Sequence, residues 1–287
     1  MIPWFLSTNS AGMILTRLRF LILPTIHMWK TQIPSGRSLM ISSGIWGIMA
    51  FEYLNLSVAN KVGWVEYNRL PFNGFNWEML GQEDVRVVVL SSTLDNYFSA
   101  ATDLTIFDGI RPKKMREWVK ICHGHLMQNA HNPLLAAIHG MAVGGGLELT
   151  SHCDFCFAAE DAKIGQLEIA INFIPPVGTT QTLACLIGRP KAIKFLYDSK
   201  ILSAIKALDI GLVDKLHPAE ELRPYVQSYA ESLASNPTKV LAAIRRCITL
   251  GGGMPFEKSL DYEIEQAAAL TDTPDFIEGV KTFLEKN

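Results

Sequence analysis

Between Asn132 and Gln181 the chain places three consecutive glycines, Gly144-Gly145-Gly146, after a short apolar run and follows them at once with Leu147 and Glu148. Few backbones accommodate that order. Leu134-Leu135-Ala136-Ala137-Ile138, entered after Pro133, reads as a strand covered on both faces. Residues 145–152 read as a helix with Glu148 in its opening turn. A second glutamate lies in Gly165-Gln166-Leu167-Glu168-Ile169, shortly before Ile174-Pro175-Pro176-Val177-Gly178. Two readings of the glycines stay open. Close packing of helix against strand explains one of them readily, whereas a backbone N–H, that of Gly145, aimed at a ligand oxygen explains the run.

The glutamates divide in the same way. A first-turn Glu148 can simply favour the helix dipole, and a loop Glu168 can be a solvated charge. Glu148, however, has apolar and glycine neighbours, where an ionised carboxylate needs partners or a shifted pKa. A free helix N-terminus and two acid/base groups are the parts that stabilise an enolate and move protons around it. His139, His152 and Asp154 lie near enough in sequence to take part, although a lone histidine at the end of a buried strand is more often structural. Upstream, Phe98-Ser99-Ala100-Ala101-Thr102-Asp103-Leu104 brings small residues to an aspartate. That suits a helix N-cap whose free N–H groups supply a second donor, though capping alone explains it as well.

The rest of the chain places these motifs in a layered α/β core. Residues 54–58 alternate like a strand, and 62–67 make its hairpin partner after Ala59-Asn60-Lys61. Strands are expected over 86–91 and 155–158, and helices over 113–130 and 179–187. After Pro218 the pattern turns helical over 219–234, 238–250, 255–270 and 273–285, with breaks at Asn236-Pro237, Gly251-Gly252-Gly253 and Asp272-Thr273-Pro274. The expected organisation is a leader over 1–51, an α/β core over 52–217 and a C-terminal helical region over 218–287. The leader contains no Asp or Glu but carries Arg17, Arg19, Lys30 and Arg37. That is the composition of an organellar transit segment or of an unstructured stretch. The compartment stays open between mitochondrial or peroxisomal matrix and cytoplasm.

Composition excludes several classes. At 48% hydrophobic and 19% charged residues the chain is far from the disordered class. A net charge of −2 gives no field for nucleic acid or an anionic membrane, and Lys113-Lys114-Met115-Arg116 is too short a basic cluster to change that. Neither 20–24 nor 39–51 supplies the roughly 20-residue apolar span that crosses a bilayer. Five cysteines, an odd number, fit a reducing compartment. Cys153 and Cys156 form a C-x-x-C that no second pair completes, so no metal site is expected.

The segments HGMAVGGGLELTSHCD and AAEDAKIGQLEIAINFIPPVGTTQ closely resemble the signature of the enoyl-CoA hydratase/isomerase family, the crotonase superfamily. Weaker likeness extends from about residue 53 to the C-terminus, through 68–76, 85–90, 98–104, 208–214 and 276–280. The resemblance implies a crotonase-like α/β fold, with ββα repeats forming a layered spiral core and a C-terminal helical oligomerisation region. It implies that Glu148 and Glu168 are the catalytic pair and that the N–H groups of Thr102 and Gly145 form an oxyanion hole. Coenzyme A would lie along Arg69, Asn73 and Gly74 and along Gly144, Ala100, Ala101 and Asp103. The implied reaction is hydration of a trans-2-enoyl-CoA to a 3-hydroxyacyl-CoA. The runner-up is an enoyl-CoA isomerase or related dehydratase, and a non-catalytic crotonase-fold binding protein is the alternative of another class. Coenzyme A would enter as part of the substrate, with no separate cofactor and no metal, and the partners implied are copies of the chain in a trimer or hexamer. Two departures stand out. Ala101 replaces the glycine usual in the family, next to a Thr102 bulkier than the common alanine, and only Leu80–Asp84 separate Met79 from Val85, where the family places a full helix.

Overall fold

The computed structural model describes residues 49–51, 54–67, 85–100, 104–128 and 132–286. Leu104–Ile110 belong to a different compact unit from the others and carry one turn of 3-10 helix, Leu104–Phe107.

The expected hairpin is present. Strand β2 (Leu54–Ala59) pairs antiparallel with β3 (Val62–Tyr67), and β1 (Met49–Phe51) adds to the far side of β2. Asn60 and Lys61 close the turn with φ of 50° and 66°. Left-handed backbone at both corner residues matches the twist of the flanking strands, and asparagine tolerates it better than most residues. From β3 onward the sheet is parallel, through β4 (Val87–Ser92), β6 (Leu134–Ile138), β8 (Phe155–Ala159) and β11 (Lys215–His217). A second, four-stranded sheet holds β5 (Tyr97–Ala100), β7 (Met141–Val143) and β9 (Lys163–Gly165) in parallel, with β10 (Ile201–Ser203) antiparallel on β9.

The helices in chain order are α1 (Pro112–Gln128), α2 (Gly145–Thr150), α3 (Thr179–Ile187), α4 (Arg189–Asp198), α5 (Ala204–Ile210), α6 (Ala219–Ala234), α7 (Thr238–Thr249), α8 (Phe256–Thr271) and α9 (Pro274–Lys286). Strand β4 shows why the central strands read as unbroken apolar runs. Val88 and Leu90 face a cluster with Phe98, Ala142, Leu147 and Ile164, which belongs to the smaller sheet and the helix after it. Val87 and Val89 face the other way, onto Leu222, Val226, Ala230 and Ala234 of α6. Those four recur at every fourth residue, one stripe of a helix, and the stripe seals that face of the large sheet.

Most elements fall where the pattern put them, within one or two residues. The smaller sheet does not: β7, β9 and β10 have three residues each, too few for any periodicity to register. The pattern also assigned nothing to α4 and α5. In the C-terminal region α8 and α9 bury no residue at all in the single chain. No helix of the described residues is long and apolar enough to cross a membrane.

Candidate active site

The site grows out of the corner between the two sheets. β6 ends at Ile138 in the large sheet, β7 begins at Met141 in the small one, and the chain then turns into α2. Gly144 makes that turn at φ 54°, ψ −125°, a conformation that costs glycine little and other residues much. At Gly146 a Cβ would lie 2.4 Å from the Ser99 carbonyl oxygen of β5, so only hydrogen fits between helix and strand. Packing and turning therefore account for two of the three glycines. Gly145 is the first helical residue, and its N–H has no acceptor within its own helix.

Strands β7 and β9 are neighbours, with Val143 opposite Gly165 and the Gly144 N–H donating to the Gly165 carbonyl at 3.0 Å. Just past these paired ends the chain delivers Glu148 on α2 and Glu168 on a single 3-10 turn, Glu168–Ile171. Parallel pairing of two short strands thus brings the two glutamates together, near enough that the Glu168 charge raises the pKa of Glu148.

Their surroundings differ. Glu148 is 2% exposed. Its Oε1 accepts the Val177 N–H at 2.7 Å and the Thr179 hydroxyl at 3.1 Å. Burial pushes its carboxyl up to about 8; the Val177 N–H opposes this, the Glu168 charge adds to it and the Thr179 hydroxyl opposes it again. Glu168 is half-buried and also raised, again by burial first. Its own amide, the Gln166 side chain and the Leu167 amide pull the other way without closing a hydrogen bond to Oε2, which is buried and unpartnered. Both polar atoms of the Gln166 side chain are likewise buried without partners. Such groups cost about 1–3 kcal/mol each, and a fold retains them most readily where function uses them. From α1, Cys122 comes near enough to feel Glu148: burial, then that charge, lift its thiol to about 11, so it stays neutral.

Burial is the first cause of the shift at both carboxyls, and at Glu148 the Glu168 charge adds to it. Two carboxyls that both hold a proton more tightly than usual can give a proton at one atom of a ligand and take one at another.

The remaining sequence-derived candidates separate clearly. Ala100 ends β5 opposite Val143, the last residue of β7. Arg69, Asn73, Gly74, Ala101, Thr102 and Asp103 lie outside the described residues, as does the short segment 80–84. His139 donates Nε2–H to the Leu94 carbonyl at 3.0 Å, a structural tie. Asp154 accepts the Leu134 N–H at 2.7 Å and pairs with Arg245 of α7, away from the glutamates' hydrogen bonds. Cys153 and Cys156 are free and buried, and bond the Leu149 and Thr150 carbonyls. Among the described residues no three His, Cys, Asp or Glu side chains are grouped to hold a metal ion. The residues that sequence reasoning missed are Val177 and Thr179, the donors to Glu148. Their signal was the position of Val177-Gly178-Thr179 at the start of α3, where backbone N–H groups go unused by the helix.

Residues 77–287 match a protein-family model described as Enoyl-CoA hydratase/isomerase. A crotonyl-CoA hydratase of Syntrophomonas wolfei is 30% identical over 252 residues, covering 83% of this chain and 97% of that protein. An (E)-benzylidenesuccinyl-CoA hydratase of Thauera aromatica is 30% identical over 248 residues, 81% of this chain and 96% of that one. Among solved structures, the enoyl-CoA hydratase of Bacillus anthracis superposes with a TM-score of 0.72 at 29% identity, over 82% of this chain and 97% of that one.

Proposed function

From the chain's membership of the enoyl-CoA hydratase/isomerase family, with the crotonase fold, we propose that it hydrates a trans-2-enoyl-CoA, with Glu148 and Glu168 as its acid/base pair. The observation that carries this reading is the pair itself: a buried and a half-buried carboxylate, both with raised pKa values, delivered by adjacent parallel strands. One carboxylate takes a proton from water as the water oxygen bonds Cβ. The other gives a proton to Cα, so the pair ends with as many protons as it began. The charge that gathers on the thioester oxygen is met by the N–H groups of Gly145 and Thr102, each such donor worth on the order of 10²–10³-fold in rate. Coenzyme A would follow Arg69, Asn73 and Gly74 and the stretch from Ala100 to Asp103.

The test is the loss of crotonyl-CoA's conjugated-thioester absorbance on adding the full chain. Hydration is the expected result. A folded protein that binds crotonyl-CoA and leaves its absorbance unchanged would overturn the reading, and then conversion of a 3-enoyl-CoA would identify an isomerase and inertness a binding protein.

The same reading includes self-association through the C-terminal helices. Phe256 is 76% exposed, Ile264 63%, Phe283 68% and Leu284 70%, on helices with no buried residue of their own. Apolar faces this large are costly in water and mark interfaces. Analytical ultracentrifugation is expected to give the mass of three or six 31.9 kDa chains, and a monomer at micromolar concentration would contradict it.

A further inference from the structure

We infer that His123 and His152 form a clamp that positions Glu148: by holding the Pro176 and Val177 carbonyls they aim the Val177 N–H at its carboxylate. The inference rests on the acid/base reading of Glu148. His123, on α1, donates Nε2–H to the Pro176 carbonyl at 2.8 Å. His152, just after α2, donates Nε2–H to the Val177 carbonyl at 2.8 Å. Carbonyls only accept, so both imidazoles carry their proton on Nε2.

The Pro176 carbonyl and the Val177 N–H belong to one peptide plane, and in a trans peptide they point in opposite directions. Pinning that carbonyl from one side therefore fixes where the N–H points on the other, at Glu148 Oε1, 2.7 Å away. The hydrogen bond accepted by the carbonyl also polarises the N–H and strengthens it as a donor. His152 pins the next plane along, so neither backbone angle of Val177 is free to turn. Gly178 is shaped for the same contact. Its φ is 88°, and a Cβ there would stand 2.9 Å from Cε1 and Nε2 of His152. The imidazole lies flush against bare backbone, which a loop carrying a side chain at 178 could not permit.

The charged and titratable groups around His152 are His123 on α1 and Arg245 on α7; around Glu148 they are Cys122 on α1 and Glu168. Burial lowers the pKa of His152, which favours the neutral imidazole that donates from Nε2. Neither histidine touches the reacting atoms. They are positioning residues.

The experiment compares His152→Leu, which deletes the donor, with His152→Gln, whose amide N–H reaches about as far as Nε2. His123→Leu and His123→Gln form the matching pair. With crotonyl-CoA, His152→Leu is expected to lower kcat about 10- to 100-fold with KM changed less than about twofold, and His152→Gln to recover most of it. The alkaline limb of kcat/KM is expected to move upward in His152→Leu, because losing an aligned N–H removes a group that favours ionised Glu148. The Val177 amide resonance in ¹⁵N-valine spectra supplies a readout independent of turnover. In the unaltered protein it is expected to titrate with Glu148, and in His152→Leu to stop doing so. Unchanged kcat, pH limb and Val177 titration in His152→Leu overturn the clamp. If that variant does not fold, the same three readouts on the His123 pair decide. Near-normal turnover in Glu148→Gln would instead remove the catalytic reading, while the Val177 resonance would still report on the clamp.

Discussion

Glu148→Gln is expected to lower crotonyl-CoA hydration at least about 10²-fold and, in the same variant, to raise stability by an amount that grows with pH. Acyl-CoA binding should survive. The first effect follows from removing one member of the proton-handling pair, and Glu168→Gln should match it. The second follows from burial. An unfolded chain ionises this carboxyl near 4.5, whereas the folded protein holds the proton up to about 8. Between those values the folded state binds more protons than the unfolded one, so its stability falls as pH rises, and above about 8 the full penalty applies. Every tenfold gain in proton affinity on folding is worth about 1.4 kcal/mol, so the penalty amounts to a few kcal/mol. Glutamine can keep accepting the Val177 and Thr179 hydrogen bonds without ever charging. Urea midpoints at pH 5, 7 and 9, at one protein concentration, should show a gap between variant and original that is small at pH 5 and widest at pH 9. A gap independent of pH would mean that Glu148 is not held protonated by its burial.

Replacing Arg245 with methionine is expected to cost about 3–5 kcal/mol. The Arg245 Nε lies 2.6 Å from Asp154 Oδ1 and 2.8 Å from Oδ2, and Nη2 donates to the His152 carbonyl at 3.2 Å. The two side chains are 10% and 24% exposed, so water screens the pair poorly. Without the guanidinium, Asp154 keeps the Leu134 N–H, but its charge has lost its counter-ion. Because α7 carries Arg245, this pair fastens a C-terminal helix to the start of β6 and to the backbone behind His152. The urea midpoint should drop accordingly, and Asp154→Asn in the same background should cost much less than it does alone. A loss below about 1 kcal/mol would put this pair with ordinary surface ion pairs.

How much of this was legible beforehand depends on the range over which each signal acts. Helices α6 to α9 announced themselves, because their stripes repeat over twelve residues or more and are bracketed by Asn236-Pro237, Gly251–Gly253 and Asp272–Pro274. The buried strands β4, β6 and β8 showed as continuous apolar runs because both their faces are covered. The smaller sheet was invisible. Three residues cannot display a period, and β7 and β9 exist because tertiary pairing holds them. Yet that sheet is what sets Glu148 beside Glu168. The glutamates themselves stood out by their neighbours. The donors to Glu148 did not, since a backbone N–H at Val177 leaves no mark in a side-chain pattern, and His152 gains its meaning only once the Pro176–Gly178 backbone folds against it.

One consequence of the β7–β9 pairing concerns tolerance to insertion. The offset between the two acid/base groups is metered by a ruler with few rungs, Val143 opposite Gly165 among them. A slip of a single rung displaces one carboxylate by about 3.3 Å and turns its strand's side chains to the other face. A proton, by contrast, crosses a gap of only about 2.6–3.2 Å between heavy atoms. Loop lengths elsewhere in the chain can drift across generations with modest thermodynamic effect. The count of residues from Gly140 to Glu148 and from Lys163 to Glu168 has no such latitude, and natural variants that gain or lose one residue there should be found retired from catalysis while still folded.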